Sequence, residues 1–144
     1  MGNSGWLDWL RGKSETSSSL NDIGRLVLRV SAGLFMIMGH GWDKLMNFSA
    51  KAEVFPDPLG IGSGLTLGIA VMGEFFGALF LMLGFLTRLS LIPLILTMMV
   101  AAFIFHATDP FGGKELALLY LTTYIGLFIT GPGRHSLDAK MNGW

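Results

Sequence analysis

Glu74 is the one charged side chain in the apolar run from Gly62 to Leu86. A carboxylate so placed either forms a buried ion pair that locks two helices or carries a proton for a reacting ligand. The expected partner is Arg29, early in the preceding apolar run, whose long side chain can climb toward Glu74. The structural lock is the expected role and proton carriage its alternative. That preceding run closes on Gly39-His40-Gly41-Trp42-Asp43-Lys44-Leu45. His40, Asp43 and Lys44 are spaced to share one helix face, where Asp43 would accept from the His40 imidazole and fix its tautomer. His106 closes a third run, with Asp109 and Glu115 just beyond it. Because chain direction alternates, both histidines should reach the same end of the molecule as Trp42, Phe105 and Phe111. An imidazole among aromatic rings in the outer half of a membrane suits a quinone head group, to whose carbonyl oxygen it would donate. The alternative is that these polar groups cap helix ends at the interface. His40, Asp43, Lys44, Glu74 and His106 are therefore the candidate quinone and proton site. Axial ligation of a haem has no support in the spacing, which does not place the histidines on opposite ring faces. No tight cluster of His and Asp suggests a metal.

The elements that must position these groups are four apolar runs: Ile23 to Met46, Gly62 to Leu86, Leu89 to Ala107, and Glu115 to Thr130. Crossing a bilayer takes about 20 helical residues, so the sequence predicts an all-α, integral membrane four-helix bundle. The fourth run is short and should stand nearly upright. The alternative of a soluble bundle is opposed by Leu91–Phe105, which has no charge and no polar face, only Thr97. Gly64 and Gly68, and Gly73 and Gly77, lie four apart and are expected to let neighbouring helices approach closely. Lys and Arg place both termini in the cytoplasm, with Arg11, Lys13, Arg25, Arg88, Arg134 and Lys140 on one side and Lys44, Lys51 and Lys114 on the other. The chain thus divides into a polar tail (1–22), the transmembrane bundle (23–131) and a cytoplasmic C-terminal tail (132–144). The first tail has no apolar core of a secretory signal, and Trp6, Leu7, Trp9 and Leu10 beside Arg11 and Lys13 read as an interfacial anchor or, alternatively, as part of a disordered tail.

Composition narrows the function. Of 144 residues, 51% are hydrophobic and 14% charged, against about 25% charged in soluble domains. Balanced charge, with 10 basic and 10 acidic residues and no basic run, argues against nucleic acid as a partner. The absence of cysteine removes thiolate nucleophiles and Fe–S clusters. Gly60-Ile61-Gly62-Ser63-Gly64 follows no strand and precedes no lysine of a P-loop, so no nucleotide is expected.

Taken in order, these pieces resemble the DoxX family of small bacterial membrane proteins. The resemblance rests on the Arg-bearing first run closing at Gly39–Leu45, on Glu74 followed by Leu83-Gly84-Phe85-Leu86-Thr87-Arg88, on His106 before Asp109-Pro110-Phe111, and on the tail Gly131-Pro132-Gly133-Arg134-His135-Ser136-Leu137-Asp138. It implies a four-helix bundle in the bacterial inner membrane and an oxidoreductase setting, the family being named for a subunit of a thiosulfate:quinone oxidoreductase. It matches His40, Lys44, Glu74, Arg88 and His106 to polar family positions, and Arg134, Ser136 and Asp138 to the family's tail. The lack of cysteine departs from relatives that work with thiols. The expected function is a quinone-interacting membrane subunit of an oxidoreductase-type assembly, with quinone as cofactor and with the bilayer and partner subunits, or further copies of itself, around it. The alternative is a non-catalytic accessory subunit packed against a larger membrane complex. A small transporter is the third reading, though four helices enclose little water and no broken helix pairs occur.

Overall fold

The computed structural model describes residues 18–141. The expected anchor at Trp6–Leu10 lies outside them. Six helices follow one another: α1 (Ser19–Met46), the short α2 (Phe48–Lys51), α3 (Ser63–Leu83), α4 (Thr87–Phe105), α5 (Phe111–Thr130) and α6 (Leu137–Met141). Among the described residues there is no strand.

Helices α1, α3 and α4 are long and apolar enough to cross a membrane. The 28 residues of α1 rise about 42 Å, longer than the roughly 30 Å hydrocarbon core, so its ends reach the interface or it tilts. Helix α5 starts four residues before the expected Glu115. Pro110 sets the chain at its N-cap with φ −55°, and the Gly113 N–H donates to the Pro110 carbonyl at 2.9 Å. Gly112 and Gly113 looked like loop residues, but a first helical turn asks little of them because its N–H groups need no intrahelical partner. The 20-residue α5 is thus as long as its neighbours.

Neighbouring helices run antiparallel. The start of α1 packs on the end of α3, the end of α1 on the start of α3, α4 lies along both α3 and α5, and α5 returns to α1. Met36, Leu81, Leu91, Leu94, Tyr124 and Leu127 form the shared core. The distribution of side chains inverts that of a water-soluble protein. Arg29, Glu74, Thr87 and Ser90 are buried, while Leu65, Leu119, Phe103 and Ile129 face outward. Lipid tails accept those apolar faces, and ionisable groups retreat to the bundle interior.

Close approach is set by particular glycines. A Cβ on Gly41 would lie 2.4 Å from the Glu74 carbonyl oxygen, and one on Gly73 would lie 2.9 Å from Thr97 Oγ1. One on Gly77 would meet the Ser90 carbonyl at 3.1 Å. Gly73 and Gly77 thus lie against α4, whereas Gly68 faces open space and Gly64 meets only Ala52, at ordinary contact distance.

Candidate functional site

At the end of the bundle where α1 and α4 finish, a cavity of about 610 Å³ opens between all four long helices and the loop before α3. His40 and Lys44 of α1, Glu74 of α3, Tyr120 of α5 and His106 just after α4 line it. Much of the remaining wall is apolar, including Ile69, Leu96, Met98, Phe105 and Leu116.

Local helix geometry presents these groups. At this level α1, α3 and α4 each contain a π-helical stretch: Ile37–Gly41, Met72–Gly77 and Ala101–Phe105. The wider turns are closed by N–H groups reaching back five residues, from Trp42 to Ile37, from Ala78 to Gly73, and from His106 to Ala101. Such stretches shift the side chains beyond them out of α-helical register and recur at functional sites. His40 and Glu74 lie within two of them, and His106 follows the third.

Lys44 and Glu74 form an ion pair, hydrogen-bonded from Nζ to Oε2, with side chains only 17% and 7% exposed. The expected Arg29–Glu74 pair is not what forms. Arg29 lies level with Gly84, where a Cβ would come within 1.5 Å of its Nη1, and its Nη2 donates to the His135 carbonyl at 2.6 Å. Gly84, just past the end of α3, lies ten positions after Glu74, which puts about 15 Å between Glu74 and the level of Arg29. Lys44, farther along the antiparallel α1, stands at the right height.

Asp43 turns away from the cavity. It accepts from Asn47 Nδ2 at 2.7 Å and pairs with Lys51, so it does not hold the His40 ring. His40 instead meets Tyr120 edge-on, with ring centroids 6.3 Å apart, and Tyr120 stacks on the buried Tyr124 at 5.7 Å. The fixed imidazole is that of His106, whose Nδ1 lies 2.6 Å from Asp109 Oδ2. With Nδ1 engaged, Nε2 is the ring atom left for a ligand. Of the expected aromatics, Phe105 lines the cavity, whereas Trp42 packs against Phe75 and both Trp42 and Phe111 are exposed. Among the described residues, no group of three His, Asp or Glu could hold a metal ion.

The loop before α3 supplies the residues that sequence reasoning missed. Phe55, Pro56, Pro58, Leu59 and Ile61 form one wall of the cavity, and Lys44 Nζ lies 5.9 Å from the centroid of the Phe55 ring. Asp57 pins this loop by accepting from Thr66 Oγ1 at 2.8 Å, from the Gly62 N–H at 2.7 Å and from the Ile61 N–H at 3.1 Å. These donors, Thr66 foremost, hold its carboxyl below the usual carboxylate range. The available signal was a loop rich in apolar and proline residues, Phe55-Pro56-Asp57-Pro58-Leu59. Tyr120 gave no signal beyond being an aromatic residue in an apolar run.

The DoxX family model matches residues 24–107. Over 127 residues the chain is 32% identical to Inner membrane protein YqjF of Escherichia coli (strain K12), covering 85% of this chain and 95% of that protein. No solved structure matches.

Proposed function

We propose, from the premise that this chain belongs to the DoxX family, that its polar-lined cavity receives a quinone head group. In this reading the chain is the quinone-interacting subunit of an oxidoreductase-type assembly. It is a multi-pass inner membrane protein, with the membrane-crossing helices α1, α3 and α4. With α5 as a fourth span, both termini are cytoplasmic and the cavity lies in the outer leaflet.

The observation that carries the reading is a buried Lys44–Glu74 pair, with His40 and His106 beside it, in a cavity otherwise walled largely by apolar side chains. A quinone head group is a flat apolar ring with carbonyl oxygens at opposite edges. It needs apolar walls and a few hydrogen-bond donors, and about 610 Å³ falls within the usual range of small-molecule sites. Lys44 Nζ and His106 Nε2 are the donors, while Phe55 and Phe105 provide ring contacts. Bound quinone supplies two-electron, two-proton chemistry. The chain's own contribution is to orient the ring, exclude water through the Asp57-pinned loop, and hold protons on Glu74, His40 and His106. With no cysteine the chain offers no thiol as electron donor, and in this reading the electrons come from a partner's redox centre.

The test is titration of the full chain in nanodiscs with decylubiquinone. Saturable binding is expected, weakened about tenfold by Lys44→Met or His106→Phe, the worth of one hydrogen bond to a charged or polarised donor. Lys44→Met/Glu74→Leu leaves no lone buried charge and so should keep the fold while losing affinity. Absent saturation, or wild-type affinity in all three variants, would remove the quinone site. Recovery in a fixed-ratio complex without quinone binding would favour the accessory-subunit reading.

A further inference from the structure

The opposite end of the bundle holds a second cleft, of about 720 Å³, between the start of α1, the start of α4 and the segment after α5. Each of the three contributes an arginine: Arg25, Arg88 and Arg134. Their charge is poorly matched. Arg25 and Arg134 share the single carboxylate of Asp22, at 3.6 and 3.7 Å, well beyond the 2.7–2.9 Å typical of charge-assisted hydrogen bonds. Among the described residues Arg88 meets no carboxylate, and its Nε donates only to the Phe128 carbonyl at 3.3 Å. Asp138 also borders the cleft, but its oxygens already accept from the Leu86 and Thr87 N–H groups and the Thr87 hydroxyl. Among the described residues, three guanidinium groups therefore face one shared carboxylate.

The cleft is built by the backbone. Gly131 and Gly133 take φ of +77° and +76°, folding the chain back after α5 so that the Arg134 N–H reaches Asp22 Oδ1 at 3.2 Å. Leu86 and Leu89 line the cleft beside Arg88 and are 46% and 60% exposed. Such a site is polar and cationic at its head and apolar along the helix leading away from it.

We infer that this cleft binds the phosphate of an anionic phospholipid head group, with Arg25, Arg88 and Arg134 around the phosphate and the acyl chains along Leu86 and Leu89. Guanidinium forks match phosphate oxygens in bidentate fashion, and basic pockets between membrane helices hold anionic head groups. A zwitterionic head group brings its own cation among the arginines and is disfavoured. Free phosphate offers the same oxygens without the chains.

The full chain in detergent, examined by native mass spectrometry, separates these sources. Dioleoylphosphatidylglycerol should be retained in preference to dioleoylphosphatidylcholine, and each of Arg25→Gln, Arg88→Gln and Arg134→Gln should reduce retention roughly fivefold. Arg88→Lys keeps the charge without the fork and should fall between Arg88→Gln and wild type, with monodisperse elution showing that each variant is folded. Sodium phosphate at matched ionic strength should displace the phosphatidylglycerol, which identifies phosphate as the recognised group. Stabilisation by sodium phosphate with no preference for phosphatidylglycerol would overturn the lipid assignment. Equal retention by wild type and all three glutamine variants would overturn the site.

Discussion

Asp138 does from a distant part of the chain what an N-cap residue normally does from the adjacent position. Leu86, which precedes α4, has φ +45° and gives the helix no side-chain cap. Asp138 accepts instead from the Leu86 N–H at 2.7 Å, the Thr87 N–H at 2.9 Å and the Thr87 hydroxyl at 2.7 Å. Its own N–H donates to the Gly84 carbonyl at 2.8 Å. Asp138→Ala should therefore cost about 1–2 kcal/mol, the range for a lost cap, read as a lower melting temperature in detergent. Burial alone would raise this carboxyl, but the Thr87 and Leu86 donors and the nearby Arg29 charge outweigh it and hold it below its ordinary value. A depressed carboxyl stabilises the fold above its unfolded value of about 3.9, and that contribution is lost as pH falls through the folded value. Thermal melts from pH 6 to pH 3 should show this loss in the wild type and a smaller one in Asp138→Asn. A fall of equal size in both would place the acid sensitivity elsewhere. In the sequence Asp138 was legible as part of a tail motif, but its partners lie 51 and 52 residues away and no local pattern names them.

At the scale of elements, the apolar runs locate the helices because the bilayer requires uninterrupted apolar stretches. The sequence does not reveal where those helices touch. Spacing marked Gly64 and Gly68 as readily as Gly73 and Gly77, yet the latter pair approaches a facing backbone tightly, whereas Gly64 meets Ala52 only at ordinary contact distance and Gly68 meets nothing. Gly41, noticed only as part of a motif, makes the tightest approach to a facing backbone among the described residues, against the Glu74 carbonyl. The π-helical stretches are equally invisible, since they arise from packing and not from a residue pattern. A paired test separates the two kinds of glycine. Gly41→Ala must push α1 from α3 and should destabilise by about 1–3 kcal/mol, the cost of overpacking. Gly68→Ala adds a methyl into open space and gains helix propensity, so it should be neutral or stabilising by up to about 1 kcal/mol. Melting temperatures of the two variants check both, and an equal loss would mean that contact with α3 does not govern Gly41. Because Gly41 lies between His40 and Lys44 in sequence, its variant should also disturb quinone affinity if the cavity is the binding site.

For the whole molecule, the two ends differ in how their positive charge is held. At the cavity end Lys44 pairs with Glu74, Lys51 with Asp43, and Lys114 donates to the Ala107 carbonyl. At the other end the arginines of the cleft outnumber, among the described residues, the carboxylates available to them. Excess Lys and Arg near span ends favours the cytoplasmic side, so the cleft should face inward and the cavity outward. The absence of native cysteine makes the prediction easy to read, because each introduced cysteine is a unique label. Glu53→Cys lies in the loop between α2 and α3, and Lys140→Cys in α6, both at exposed positions. In intact spheroplasts a membrane-impermeant maleimide should label Glu53→Cys and spare Lys140→Cys, with both labelled after permeabilisation. Labelling of both in intact cells would mean that α5 does not cross, because three spans put α6 on the same side as the loop. Labelling of Lys140→Cys alone would invert the molecule, moving the cavity to the inner leaflet and the arginine cleft to the outer one. The expected pattern leaves each site facing the side its chemistry favours, with the cleft among anionic lipids at the cytoplasmic surface and the cavity open to a membrane-borne ligand in the outer half.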